Sequence, residues 1–293
     1  MARNEKGAVL VTGASTGIGR ATALHLVGRG HTVFAGVRKK PDAERLRSEG
    51  SERLVPVMLD VTKPRSISAA RAKVQRAVGR AGLAGLVNNA GVASAGPVEH
   101  LPVEEFRRVL ETNLVGQYAV TQAFLPLIRR ARGTIVFISS IGGKLATPFL
   151  SPYSASKFGL EALADSLRRE VKPWGIGVVV VEPGSISTPI WDRGVDNFER
   201  NLPAMGREAK RLYGEQMNSM RAAVIETAER GIEPEAVARV VARAIRRRRP
   251  RTRYLVGVDA KLMRRIAAGL GDRTLDRVVR RRMRLPDEAP KGR

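Results

Sequence analysis

Short apolar, β-branched runs alternate with longer stretches of helical period through the first two-thirds of the chain. The runs fall at 8–11, 32–34, 54–59, 83–87, 134–138 and 178–181. Each is almost continuously apolar, as expected of strands covered on both faces. Helical patterns lie between them, near 18–28, 41–48, 66–79, 103–130 and 153–172. Strand and helix in this rhythm predict an α/β fold, a doubly wound parallel sheet with right-handed crossovers and flanking helices. The rhythm changes after Pro183. Residues 190–230 read as amphipathic helix, Glu233-Pro234-Glu235 as the start of another over 234–245, and 253–257 as a last short strand. Residues 260–284 read as one or two basic amphipathic helices. The predicted organisation is one catalytic domain over 1–257, with a substrate lid at about 190–230, and a basic helical C-terminal extension over 258–293.

Composition narrows the chemistry. The 293 residues are 43% hydrophobic, enough for a packed core. There is no cysteine, so disulfides and thiolate metal sites are excluded, and three scattered histidines offer no ligand cluster. No metal is expected. No apolar stretch approaches the roughly 18 residues of a membrane span. The first apolar run is too short for a secretory signal and leads directly into a glycine turn. The expected location is the cytoplasm. The net charge of +24 is concentrated late in the chain, in RAIRRRRPRTR and RVVRRRMR. Such a tail suits an anionic membrane surface or is simply a solvated face.

Two stretches carry the strongest chemical signal. VLVTGASTGIG, residues 9–19, ends a strand at Thr12 and enters a helix through Gly13, Gly17 and Gly19. Glycine there permits a tight turn, close approach of a pyrophosphate and close helix–strand packing, with the anion at the helix N-terminus. SPYSASKFG, residues 151–159, puts Tyr153 one helical turn before Lys157 on the same face. Ser151 and Pro152 read as the cap and first residue of that helix. A neighbouring cation favours phenolate and brings a pKa near 10 toward the operating pH, where acid–base catalysis is most effective.

The glycine spacing, NNAG at 88–91, TNLVG at 112–116, ISS at 138–140, Tyr153-x-x-x-Lys157 and EPGSIST at 182–188 follow one another in order. In this the chain resembles the short-chain dehydrogenase/reductase family over about residues 5–190, which implies a Rossmann-like fold. The resemblance implies Tyr153 as catalytic acid/base and Lys157 as the residue that lowers its pKa and binds the nicotinamide ribose. It also implies Ser140 as the hydrogen-bond partner of the substrate oxygen, and Asn113 as the holder of a water in a proton relay. For the cofactor it implies Gly13, Ser15, Thr16, Gly17, Ile18 and Gly19 around the pyrophosphate. Asp60 and Val61 would lie at the adenine, and Asn89, Ala90 and Gly91 beside the ribose. Pro183, Gly184, Ile186 and Thr188 would meet the nicotinamide.

The second strand discriminates between cofactors. An acidic residue at its end would bond an NAD ribose; this chain has Val37 and then Arg38, which suits a 2′-phosphate. Lys39 could add charge and Ser15 a hydrogen bond, so NADP is expected, with NAD possible. The glycine loop carries Thr16 where some NADP members have a second basic residue.

Substrate contacts are expected from Val92, Ala93, Leu145, Phe149, Trp191, Met205 and Met217, with Lys144 the main polar exception. The methionines fit an adaptable lid or ordinary core packing equally well. The stretch 149–184 resembles members acting on steroids and retinol, which implies a hydrophobic secondary alcohol or its ketone. Alternatives are an NAD-dependent dehydrogenase of a smaller alcohol and a catalytically silent nucleotide-binding protein. Nucleic acid is an unlikely partner, because only charge supports it and aromatics make up 4%. The family implies a homo-oligomer, dimer or tetramer. The basic tail could contact a membrane peripherally, close over the substrate site or join an oligomer contact.

Overall fold

A computed structural model describes residues 6–49 and 51–286. Seven of the short runs form strands: β1 Val9–Val11, β2 Val33–Val37, β3 Leu54–Met58, β4 Gly85–Asn88, β5 Thr134–Ile138, β6 Gly177–Pro183 and β7 Arg253–Val256. They make one parallel sheet in the order β3-β2-β1-β4-β5-β6-β7. The chain winds outward from β1 to β3, then returns to β4 on the other side of β1. Strand order therefore reverses between β1 and β4, and the crevice for a ligand opens there at the carboxyl ends of the strands.

Alternate residues feed two cores, which is why the strands are apolar throughout. Leu10, Phe34, Leu86, Ile135 and Phe137 point to the face covered by α3 (Pro64–Val78), α5 (Gly116–Ala131) and α6 (Ser151–Glu170). Val9, Val11, Val33, Val87 and Val136 point to the face covered by α1 (Gly17–Gly28), α2 (Lys40–Ser48) and α8 (Pro234–Arg246). The doubly wound sheet expected from the sequence is the observed fold.

Three local expectations differ. The helix expected over 103–130 is two helices, α4 (Val103–Leu110) and α5, joined by a π-helical turn at Glu111–Val115 in which the Gly116 N–H bonds the Glu111 carbonyl. Helix α6 begins at Ser151 with Leu150 in the cap position and no side-chain cap, so Ser151 is helical and Pro152 sits inside the first turn. The long helix α7 (Pro189–Glu229) is two helical pieces that meet at Gly206, whose φ of 78° no other residue type adopts readily.

The chain beyond β7 forms α9 (Val258–Gly269) and α10 (Asp272–Arg282). Ala260 and Met263 bury the inner side of α9. Residues 287–293, at the end of the expected extension, lie outside the described residues, as do the side chains of 195–204 in the expected lid. Among the described residues, no helix is long and apolar enough to cross a membrane.

Candidate active site

The crevice is held open by short polar side chains working on backbone. The Thr12 hydroxyl accepts the N–H groups of Asn89 and Ala90 at 2.9 and 3.0 Å and faces the Val87 carbonyl at 3.3 Å, tying the end of β1 to the end of β4. The Asn89 amide donates to the carbonyls of Thr12 and Gly13 at 2.9 and 3.1 Å. The glycine loop therefore has little freedom. Gly13 takes φ 63°, and a Cβ on it would lie 2.9 Å from Ala90 Cα. Gly17 takes φ 53°, and a Cβ there would meet Thr188 Cγ2 at 3.1 Å. No side chain caps α1, Thr16 included, so the loop presents backbone to whatever binds it, as a pyrophosphate requires.

Ser15 and Ile18 complete the loop, with Ile18 packed against the core on one side. Gly91 follows Ala90, whose carbonyl is held by Gln117 Nε2 at 2.8 Å. Asp60 and Val61 follow β3 at the same edge of the sheet. The Asp60 carboxylate accepts the Thr62 N–H and hydroxyl at 3.0 and 2.8 Å, while Val61 is buried. Arg38 and Lys39 are exposed beyond β2. Arg45 on α2 donates to the Ser15 carbonyl at 2.9 Å, which places a second cation against the glycine loop.

Tyr153, Lys157, Ser140 and Asn113 come together at the mouth of this crevice, all buried. Ser140 ends β5 and accepts the Gly142 N–H at 3.0 Å. Tyr153 projects from the first turn of α6 and hydrogen-bonds Ser140. The Lys157 ammonium lies 5.6 Å from the centre of the Tyr153 ring and donates to the Ile138 carbonyl at 2.8 Å. Burial lowers its pKa to about 8, partly offset by the Glu161 carboxylate one turn further along α6. Burial pushes the Tyr153 phenol up from 10.0, and the Ser140 hydrogen bond offsets only part of that. In the protein alone the phenol is therefore raised and not depressed as expected, because desolvation outweighs the Ser140 hydrogen bond.

Asn113 sits in the π-helical turn. Its side chain is committed to the chain rather than to Lys157: Oδ1 accepts the Val92 N–H at 2.8 Å, and Nδ2 donates to the Val92 carbonyl and Ser156 Oγ at 2.9 and 3.0 Å.

Beyond Tyr153 lies a third apolar cluster. Ala93, Ala95, Leu150, Met217 and Met220 are buried in it with Tyr153, and Phe149, Trp191, Tyr213 and Met283 pack against it. The Trp191 ring centre is 6.2 Å from that of Tyr153. A small apolar cavity opens between Ala93, Leu150, Trp191, Met220 and Val224. Of the residues expected to contact substrate, Ala93 and Trp191 line it, Phe149 and Met217 belong to the surrounding cluster, and Met205 is buried elsewhere along α7. Val92 and Leu145 are partly exposed nearby in the chain. Lys144 does not face the cavity. Its ammonium pairs with the buried Glu161 at 2.8 Å, because a carboxylate in the core must be neutralised.

Around the nicotinamide end, Pro183 closes β6 and Thr188 overhangs Gly17. Ile186 is buried, its side chain packed in the core beneath α1 and α8 and its backbone bridged to Ile232. The Gly184–Ser185 turn is fixed by Asp259 of α9, whose Oδ2 accepts the Ser185 N–H at 2.7 Å.

The residues that sequence reading missed are supports: Thr12, Arg45, Asp259 and a network around Glu161. Arg253 of β7 reaches Glu161 at 3.0 Å, Asp165 at 3.1 Å and Glu182 at 3.2 Å. Glu161 alone carried a local signal, standing one helical turn from Lys157.

The profile of the family described as short chain dehydrogenase matches residues 7–197. Retinol dehydrogenase 5 of Mus musculus is 39% identical over 279 residues, covering 92% of this chain and 87% of that protein. The NADPH-dependent 3-dehydrocapnine reductase of Ornithobacterium rhinotracheale is 35% identical, covering 92% of this chain and 94% of that protein. A short chain dehydrogenase from Burkholderia cenocepacia J2315, solved in complex with NADP, superposes with a TM-score of 0.71 at 25% identity, covering 98% of this chain and 100% of that one.

Proposed function

Because the chain belongs to the short-chain dehydrogenase/reductase family and is an oxidoreductase acting between alcohols and carbonyls, we propose that it reduces a bulky apolar ketone with NADPH, using Tyr153 as the acid. The observation that carries this reading is the burial of Tyr153 against Ser140 on one side and an apolar cluster on the other. A raised phenol pKa keeps the proton on Tyr153 at neutral pH, the state required to protonate a carbonyl oxygen. The bound nicotinamide supplies the hydride. Ser140 orients the oxygen, Tyr153 gives it a proton, and the Lys157 ammonium stabilises the phenolate left behind. Asn113 holds the Val92 backbone and α6 in register through Ser156. The reverse reaction uses the same groups with Tyr153 as base.

The residues around the crevice suit NADP. The glycine loop has the shape for a pyrophosphate, β2 is followed by the exposed Arg38 and no acid, and Arg45 reaches the Ser15 carbonyl, a pair of cations that suits a 2′-phosphate. Two relatives point the same way, one named NADPH-dependent and one solved with NADP. Asp60, Val61, Asn89, Ala90, Gly91, Pro183, Gly184 and Thr188 form the remaining walls. Ile186 acts from the core, holding the turn that Thr188 follows. The substrate reading rests on the apolar cluster around Tyr153 and on the likeness to Retinol dehydrogenase 5.

Replacing Tyr153 with Phe tests the mechanism. Turnover should fall roughly a hundredfold to ten-thousandfold while NADPH binding is retained. Activity equal to the parent protein would defeat the proposal. A screen of steroids, retinoids and aliphatic ketones with both cofactors tests the substrate class, and turnover confined to small polar carbonyls would reject it.

A further inference from the structure

The edge strand β7 lies at the floor of a cleft of about 580 Å³, between α8 and α9. Six cations converge on it: Arg243 of α8, Arg247 and Arg251 of the connecting loop, Arg253 of β7, and Lys261 and Arg264 of α9. Arg253 is neutralised, since it is paired with Glu161, Asp165 and Glu182. Among the described residues, Arg243, Arg251, Lys261 and Arg264 form no ion pair.

Spacing makes this arrangement costly on its own. Lys261 and Arg264 stand three apart on α9, so this pair stacks like charges on a shared face. Turned toward a common cleft with Arg243 and Arg251, the pair becomes part of a clamp whose repulsion an anion would remove. Guanidinium forks match phosphate oxygens in geometry as well as charge.

The floor adds a second requirement. Glu182 lines the cleft at 1% exposure, and its Oε1 has no hydrogen-bond partner although Arg253 Nε lies 3.2 Å away. A bare, fully ionised anion would leave that acceptor unsatisfied; a ligand with an O–H beside its charge would fill it.

We propose that this cleft is a binding site for a phosphate-bearing anion that carries its own O–H, separate from the dinucleotide crevice. Arg243, Arg251, Lys261 and Arg264 clamp the phosphate, and Glu182 accepts the hydroxyl. The volume falls within the range of small-ligand sites. Such a group could arrive as a free phosphate compound or as a lipid headgroup.

Calorimetric titration of inorganic pyrophosphate tests the site on protein already saturated with NADPH, so that the dinucleotide crevice is filled. One saturable site is expected. Arg251→Gln combined with Arg264→Gln should weaken it by roughly tenfold for each arginine removed. Arg273→Gln combined with Arg277→Gln, on the exposed face of α10, removes the same charge away from the cleft and should leave binding within about twofold. Equal weakening by both pairs, or no saturable binding, would overturn the proposal, since the effect would then be the diffuse attraction of a basic protein. Sedimentation with phosphatidylcholine vesicles, with and without phosphatidic acid, separates the sources. Binding that needs phosphatidic acid, is lost in the cleft variant and is displaced by pyrophosphate assigns the site to a lipid headgroup. Pyrophosphate binding without vesicle binding assigns it to a free phosphate. The titration reads no turnover, so its failure leaves the proposed reaction standing, and the reverse also holds.

Discussion

The two ends of the crevice are built by different means. The phosphate end consists of backbone, three glycines and short polar side chains, and Thr12 and Asn89 lock it from two consecutive strand ends. The substrate end consists of large flexible side chains. Phe149, Trp191, Met217, Met220 and Met283 come from the loop before α6, both parts of α7 and the end of α10. A backbone cradle fixes one ligand part closely and tolerates no added atom. A wall of methionines and aromatics adapts to volume, at the cost of precision. One end should therefore fail abruptly under substitution and the other gradually.

The sharpest break is expected at Gly19. A Cβ there would overlap the Gly13 carbonyl oxygen and press on the Asn89 amide, neither of which can move without opening the loop. Gly19→Ala should lower stability by about 1–3 kcal/mol and kcat/KM by roughly a hundredfold. Thermal unfolding and cofactor titration read the two effects. A variant that bound cofactor normally would show that the phosphate end is not the rigid one.

A smaller effect, confined to one cofactor, is expected from the cations beside that loop. Arg38→Gln and Arg45→Gln should each raise the Kd for NADPH roughly tenfold and leave NADH unchanged. An equal loss for both cofactors would mean that these arginines serve the loop's shape and not a 2′-phosphate.

The same contrast explains what could be read in advance. The glycine loop and the Tyr153–Lys157 pair are legible because their parts are neighbours in the chain and their spacing is set by one turn or one helix. The doubly wound parallel sheet followed from strands apolar on both faces and alternating with helices. The π-helical turn at 111–115 was not legible, because ETNLV contains neither proline nor glycine to mark a break in the helix. Lys144 was misassigned to the substrate pocket because its partner, Glu161, stands 17 residues on, and only the packed fold brings them together. Arg45 gave no signal, and Arg253 counted only as part of a basic stretch, for the same reason. The methionines of α7 have the period of any helix facing a core, so periodicity could not separate wall from filling.

Lys157 stands where the two ends meet, and its titration reports on both. Its folded pKa, about 8, lies below the ordinary 10.5. Between those values the unfolded chain binds more protons, so this group makes stability rise with pH through that window. The Tyr153 phenol, whose pKa is raised, acts in the opposite sense, but only from about pH 10.0 upward. The stability difference between the parent protein and Lys157→Met should therefore shift in the parent's favour as pH is raised from 7 to 9. NADPH affinity should fall over the same range if Lys157 meets the ribose as the family resemblance implies, since the ammonium is lost. A flat difference would mean that Lys157 is not desolvated as its burial implies.

The gentlest test lies at the far wall. Met283 reaches the Tyr153 cluster from the end of α10, and Arg284 beside it approaches Glu226 of α7 at 3.8 Å. The basic C-terminal segment thus contributes apolar surface to the substrate end, which favours a closing role over a purely membrane-facing one. Met283→Ala removes three heavy atoms from a half-buried position, a loss of about 1 kcal/mol. That should raise KM for a bulky ketone by roughly fivefold with kcat and NADPH affinity unchanged. A compact ketone that leaves this wall untouched should show no change. If both substrates respond alike, Met283 supports the fold and not the substrate, and the adaptable wall ends at α7.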